Sequence, residues 1–413
     1  MSSEANRSGR RKFIRSLSGF GAAGLIGTAL PSGVLANIHS HAAADPEKGH
    51  VFLTAPYLQN PAPRSMTVMW IANLPSYSWV EFGESERLGQ KAQSIHNGII
   101  DSYNRLNCIT LENLKPATRY YYRVCSKEIT GFEPYNLTYG KTIRSGLYQF
   151  STPAENPKEL SMLILNDIHD RPYSFKDLMQ YNDIEHPDFV FLNGDMFDYQ
   201  TNEQQIIDHL IQPCTDTFAS RIPFMFVRGN HETRGKFRRD LLHYFYNPEG
   251  KQYFAFTWGP VHFTVLDTGE DKPDEHPVYA GIVDFDDYRR EQARWAEGVM
   301  QSHDFKRAKF RVALLHIPQY YSGDWHGTMH VRELFAPLFN KHKIDISISG
   351  HTHQYGVHEP VKGEHDYPII IGGGPLKGKR TLIKLRANEK ELHLNMLRDD
   401  GVEVGKYQLT AKR

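Results

Sequence analysis

Seven side chains with metal-binding chemistry stand at the ends of short apolar runs in this 413-residue chain. MLIL leads into Asn166-Asp167-Ile168-His169, and FVFL leads into Asn193-Gly194-Asp195. FMFV leads into Arg228-Gly229-Asn230-His231-Glu232, VALL into His316, and ISIS into Gly350-His351-Thr352-His353. The donors are carboxylates, a carboxamide and imidazoles, with no thiolate. Such a set suits one or two first-row divalent or trivalent metals, Fe, Mn or Zn, rather than a structural zinc knot. A single Asp or His after a strand is more often a turn residue or a helix cap. Five such endings in one chain are hard to produce by turn chemistry alone. Asp167, His169, Asp195, Asn230, His316, His351 and His353 are therefore expected to meet on one rim as ligands of a shared centre.

The elements that position them can be read from pattern. Runs of four or five apolar residues between helical patterns predict buried parallel strands. Ligands of open α/β sheets bind just beyond the carboxyl ends of such strands. If strand geometry persists through the motifs, Asp167 and His169 share a face, as do His351 and His353. Gly194, Gly229 and Gly350 permit tight turns or close backbone approach. Helices are predicted over 174–182, 203–218, 238–246, 287–301 and 331–342. A hairpin is predicted from 251–257 and 261–266 around Trp258-Gly259-Pro260, with closing strands over 367–371, 380–385 and 391–397. The doubled alternation implies two packed sheets with helices outside.

In order and spacing, Asp167-Ile168-His169, Gly194-Asp195, Gly229-Asn230-His231-Glu232, His316 and Gly350-His351-Thr352-His353 resemble the calcineurin-like metallophosphoesterase superfamily, over roughly residues 159–360. The resemblance implies a four-layer α-β-β-α domain and a two-metal site bridged by Asp195. One metal would take Asp167, His169, Asp195 and His353, the other Asp195, Asn230, His316 and His351. Two cations roughly 3.5–4 Å apart clamp a phosphoryl group and hold a hydroxide for in-line attack, because bound metal lowers the pKa of water toward about 7. Asn230 and His231 are the expected catalytic residues. His231 either contacts the phosphate or protonates the leaving oxygen, or it only orients its neighbours. Phosphate monoesters are the favoured substrate. A phosphodiesterase or nucleotide hydrolase would use the same metals, and a non-catalytic surface-binding module is a third reading. Arg234, Tyr320 and His326 follow ligand-bearing strands and are candidate substrate contacts, through a bidentate guanidinium or a covering aromatic.

Residues 50–153 read as a small all-β sandwich ahead of a phosphoesterase domain over 158–413. Alternation predicts strands at 65–70 and 78–82, and 111–124 reads as two strands around a corner. Leu114-Lys115-Pro116-Ala117-Thr118-Arg119-Tyr120 resembles the tyrosine corner of fibronectin type III-like domains, with Tyr120 at the corner and Tyr122 and Val124 on the same buried face. A last strand over 146–150 runs into the polar, Pro-containing linker 151–157, a natural boundary. A sandwich of this kind before these motifs resembles the purple acid phosphatases. Those enzymes carry Tyr three residues after the bridging Asp, where this chain has Asp198, and they usually lack the His found here as His169. His169 can fill the place of the missing phenolate, which argues against a ferric ion, a purple colour and an acidic optimum.

Arg10-Arg11-Lys12-Phe13-Ile14-Arg15, followed by a Gly/Ala/Leu-rich stretch, resembles a twin-arginine export signal. Residues 1–44 are then a leader with small-residue cleavage points after Ala36 or Ala44. This implies an exported bacterial protein, periplasmic or extracellular, whose partners are the export machinery and a small phosphorylated substrate. No other run reaches the roughly 18 apolar residues a membrane span requires. Lys+Arg and Asp+Glu balance at 48 each, so no bulk field draws nucleic acid, and none is expected as a partner. Cys108 and Cys125 lie on the strands flanking the corner, with Cys125 expected to face outward and no disulfide between them. Cys214 is then a further free thiol.

Overall fold

The computed structural model describes residues 49–411. The leader, with Arg10-Arg11 and both cleavage points, lies outside the described residues. The amino-terminal part is a sandwich built around one strand, Ser65–Gly83, 19 residues long. Its first half pairs with Tyr57–Ala62 and Ser102–Leu111, its second half with Gln90–Ala92 and Arg119–Glu133. Two separate strands were expected here. The register instead slips between Ile71 and Ser76, around Pro75, which has no N–H to give a ladder. The chain thereby passes from one layer to the other without a turn.

Val68, Trp70, Val80, Tyr120, Tyr122 and Val124 fill the space between the layers. The Tyr120 hydroxyl accepts a hydrogen bond from the Lys115 backbone N–H at 2.9 Å, which closes the corner. Cys125 corrects one expectation. Alternation turns it away from Tyr122 and Val124, yet it is buried, set between Trp79 and Arg144 of the neighbouring strands. Cys108, Cys125 and Cys214 are all free thiols.

The remainder is a four-layer α-β-β-α unit. One six-stranded sheet runs Phe224–Val227, Phe189–Asn193, Glu159–Leu165, Thr381–Asn388, Glu391–Arg398, Glu403–Thr410. The other runs Phe254–Trp258, Val261–Leu266, Phe310–Leu315, Ile346–Ser349, Ile369–Ile371, Gly356–His358. Met162, Ile164, Phe191, Phe263, Val312 and Ile348 pack between them. Helix α1 (Tyr173–Met179) and the segments α2 (Glu203–Ile206) and α3 (Gln212–Thr217), joined by a π turn over Ile207–Ile211, cover the first sheet. Helices α4 (Phe285–Met300), α5 (His303–Arg307) and α6 (His326–His342) cover the second.

Differences from the pattern reading have local causes. The helix expected over 238–246 is a short 3₁₀ turn, Asp240–Tyr244. Its buried residues Leu241 and Tyr244 stand three apart, the spacing that a 3₁₀ turn stacks on one side. The edge strand Glu403–Thr410 carries no apolar signal, because none of its residues is buried. No helix among the described residues is long and apolar enough to cross a membrane.

Sandwich and phosphoesterase layers share a core rather than a hinge. Tyr57, Met69 and Ile71 belong to the same buried cluster as Phe175, Leu210 and Phe224. The Tyr57 hydroxyl donates to the Tyr244 carbonyl at 2.9 Å, and the Tyr122 hydroxyl to the Ser220 carbonyl at 2.8 Å.

His262, in the strand Val261–Leu266, is 4 % exposed and packs edge-on against Phe305. Burial pushes its pKa down to about 4, with Arg311 adding to the effect against Asp304. The unfolded chain therefore takes up this proton first, and stability falls as pH drops from about 6.5 toward 4. His262→Leu should remove on the order of 3 kcal/mol of that acid-side loss. Urea midpoints of both proteins at neutral and mildly acidic pH measure it, and an unchanged pH slope in the variant would exclude this role.

Candidate metal centre

The seven ligand-type residues come from both sheets. Asp167 and His169 follow Glu159–Leu165, Asp195 follows Phe189–Asn193, and Asn230 follows Phe224–Val227. His316 follows Phe310–Leu315, while His351 and His353 follow Ile346–Ser349. Asn193 stitches the two sheet ends together, its side-chain N–H groups donating to the Leu315 and Ile348 carbonyls at 3.3 and 3.4 Å.

The paired ligands do not share a face through strand geometry, contrary to expectation. The strands stop at Leu165 and Ser349. Asp167, His169, Asp195, His351 and His353 all have φ between 49° and 74°, in the left-handed region. Each such non-glycine residue costs about 1–2 kcal/mol, and such positions cluster at functional sites. Successive left-handed turns, not the pleat, aim Asp167 with His169 and His351 with His353. Gly194, Gly229 and Gly350 fit because a Cβ on any of them would collide with the ligand loops, at Gly194 with the Gly229 nitrogen 2.6 Å away.

Two donor groups result. Asp167, His169, Asp195 and His353 form one, and Asp195, His316 and His351 the other, so Asp195 is common to both. His169 Nε2 lies 3.6 Å from Asp167 Oδ1 and 3.5 Å from Asp195 Oδ2, and His353 Nε2 lies 3.3 Å from Asp167 Oδ1. His316 Nε2 is 2.9 Å from Asp195 Oδ2, and Asn230 Oδ1 is 3.0 Å from His351 Nδ1. Asp167 Oδ1, Asp195 Oδ2 and His316 Nε2 are buried yet form no aligned hydrogen bond. Buried polar atoms are rarely left so. Buried donor atoms without an aligned hydrogen bond, converging on one space, are what cations require, so the residues fit a metal pair.

Electrostatics agree. Burial opposes a charged His316, but Asp195 and Asp167 outweigh it and raise the imidazole to about 10. His169 is raised to about 9 by Asp167 and Asp195 against the same burial. The two carboxyls are held below their ordinary range despite burial, by His316 foremost. His351 is pushed down to about 4 by burial and by His316. In the metal-free protein, protons thus stand where cations would, and metal uptake must displace them.

Around the ligands lies a layer that orients them. His316 Nδ1–H donates to the Asn193 carbonyl at 2.8 Å, leaving Nε2 for a cation. His169 does the same through Asp198, whose Oδ1 lies 2.8 Å from Nδ1. Asp198 occupies the position expected to hold a Tyr ligand, and Tyr199 beside it is 56 % exposed. Here an imidazole aimed by a carboxylate faces the donor cluster. Glu232 accepts from the Asp195, Met196, Phe197 and Gly229 N–H groups at 2.6–3.3 Å. Asn166 donates to Asp167 Oδ2 at 2.5 Å and to the Gly373 carbonyl at 2.9 Å. These supporting residues were not assigned from sequence, although Asn standing before both Asp motifs and the shifted Tyr were visible signals.

The substrate-contact candidates are placed differently from one another. Arg234 is gripped by Glu270 through two 2.9 Å bonds and donates to His231 Nε2 at 2.9 Å. His231 Nδ1–H then donates to the Asp198 carbonyl at 2.8 Å. Burial, with Arg234 and His169 against Asp195, lowers the His231 pKa and keeps it neutral. Tyr320 sends its hydroxyl to the Glu364 carbonyl and lies under Arg332. His326 faces Asp286.

Comparison with known proteins fits this architecture. Residues 160–355 match the calcineurin-like phosphoesterase family, and residues 50–152 match the purple acid phosphatase N-terminal domain. The chain is 24 % identical over 385 residues to probable purple acid phosphatase 20 of Arabidopsis thaliana, covering 84 % of this chain and 78 % of that protein. It is 25 % identical over 348 residues to acid phosphatase type 7 of Homo sapiens, covering 76 % and 74 %. Purple acid phosphatase PPD1 from yellow lupin (Lupinus luteus) superposes with a TM-score of 0.66 at 18 % identity, over 87 % of this chain and 75 % of that one. Some matching Arabidopsis proteins are named probable inactive purple acid phosphatases. The chain is a metal-dependent phosphoesterase of purple-acid-phosphatase-like architecture. Its fold implies a binuclear metal centre.

Removing the Asp198 carboxylate should free the His169 ring and weaken metal binding about 10–100-fold. Competition of Asp198→Ala against a chelating dye measures this, and unchanged affinity would show that Asp198 does not orient the ligand.

Proposed function

We propose that this chain is an exported phosphomonoesterase. The observation that carries the hydrolytic reading is the complete donor set around Asp195, with three buried ligand atoms that make no aligned hydrogen bond. A decayed centre of the kind suggested by relatives named inactive would have lost donors. Monoesters are favoured because relatives of similar length bear the names purple acid phosphatase and acid phosphatase. Export is favoured by the Arg10-Arg11 leader, and localisation by cell fractionation tests it.

When bound, two cations polarise the phosphoryl oxygens and acidify water, so that attack occurs at ordinary pH. The chain supplies orientation around them. Asp198 and Asn193 fix the rings of His169 and His316 with Nε2 facing inward. Glu232 holds the Asp195 loop against Gly229. His231, neutral and with Nε2 accepting from Arg234, has no proton on that atom to give a leaving oxygen. Its role is to hold, with Glu270, the Arg234 guanidinium, whose remaining N–H groups are left for the phosphate. The missing phenolate at Asp198 favours divalent Mn, Zn or Fe over a ferric ion.

Metal-stripped protein reloaded with Mn, Zn or Fe should hydrolyse p-nitrophenyl phosphate faster than bis(p-nitrophenyl) phosphate and show no phenolate charge-transfer band. The reverse preference would establish the diesterase reading, and no hydrolysis of either ester would overturn the enzyme reading. His231→Ala should lower kcat by about 10²–10³-fold, equally for p-nitrophenyl and alkyl phosphates. A loss concentrated on the alkyl phosphate would restore His231 as the proton donor.

A further inference from the structure

Another group of ligand-type side chains lies where helices α4 and α6 begin. His326 and His330 stand four residues apart in the first turns of α6, on one face of the helix, opposite Asp286 in the first turn of α4. His326 Nε2 is 2.9 Å from both carboxylate oxygens of Asp286, and His330 Nδ1 is 3.0 Å from Oδ1. One donor atom from each of the three lies within 4.8 Å of the others. The His330 side chain is 8 % exposed, and its Nδ1, though close to Asp286, makes no aligned hydrogen bond.

We propose that Asp286, His326 and His330 form a third cation site, separate from the centre around Asp195, that staples α4 to α6. Two imidazoles and one carboxylate suit a borderline transition metal, Zn²⁺, Ni²⁺ or Co²⁺, rather than a hard cation. With tetrahedral geometry the fourth position falls to water, reached from the side of His326, which is 40 % exposed. Local charge permits it. Arg289 donates to Asp286 at 2.9 Å, but the Asp274 carboxylate also lies here, accepting from the Phe285 and Asp286 N–H groups at 2.9 Å. Two carboxylates against one guanidinium leave one negative charge for the cation.

The staple bears on the cleft wall through named bonds. Gly327 N–H donates to the Asp271 carbonyl at 2.7 Å, and Lys272 lies 5.3 Å from the Trp325 ring centre. Arg289 also donates to the Glu270 carbonyl, and the Glu270 side chain grips Arg234. A cation between the helices therefore fixes the segment that holds the His231–Arg234 pair.

The test is a count of zinc. Full-length protein, stripped of metal, is equilibrated with micromolar free Zn²⁺ and assayed by elemental analysis beside His330→Gln and His326→Gln. Wild type should carry one more equivalent than either variant, however many cations the Asp195 centre holds. The wild-type-minus-variant spectrum of Co²⁺-loaded protein should show tetrahedral d–d bands. Equal zinc content in wild type and in folded His326→Gln, checked by circular dichroism, overturns the proposal. That variant alone is sufficient if burial prevents His330→Gln from folding.

Discussion

The centre depends on one buried carboxylate that touches no proposed metal site directly. Glu232 accepts four backbone N–H groups, from Asp195, Met196, Phe197 and Gly229. Burial and the neighbouring Asp195 charge push its carboxyl upward, and the Gly229 and Asp195 N–H groups with the His316 charge oppose that shift. The result ties the loops after two adjacent parallel strands into one rigid piece. With those loops fixed, Asp195 faces His316 across the gap between the sheets, and the His231 N–H reaches the other Asp195 oxygen at 2.9 Å. Loosening this knot would misplace the shared ligand and the His231–Arg234 pair together.

Other features read as consequences of holding charge in a buried place. Five ligands in left-handed conformations store strain that the stitched sheet ends must bear. Two imidazoles are aimed by acceptors on their outer nitrogens, one a backbone carbonyl and one a carboxylate. The carboxylate case explains why a chain lacking the tyrosine can still present a full donor set. A ring needs an orienting partner that a phenolate does not, and Asp198 stands where the phenolate would.

How much of this was legible in the sequence follows from which forces act locally. Strand ends carrying Asp, Asn and His were legible because an apolar run and the polar residue that follows it are neighbours in the chain. The division of those ends between two sheets was less so, since it depends on packing over more than a hundred residues. Left-handed turns at Asp167 and His351 were not legible, because nothing in Asp-Ile-His or His-Thr-His separates a turn from a strand. The pattern reading erred in the same way at Pro75, where a strand crosses layers, and at Leu241–Tyr244, where a helix shrinks to a 3₁₀ turn. Cys125 shows the limit of alternation. A side chain can face away from the core and still be covered by neighbouring strands.

The two tyrosine hydroxyls that reach from the sandwich to the Ser220 and Tyr244 carbonyls carry one more implication. The sandwich serves as the outer wall of the phosphoesterase core, with Tyr57, Met69 and Ile71 inside the same apolar cluster as Phe224. Excising it would strip that cluster to water and leave two buried carbonyls without donors. The enzyme half is therefore not a portable module. Evolutionary exchange of the amino-terminal domain must preserve this seam, and truncation at the 151–157 linker should yield an aggregating fragment.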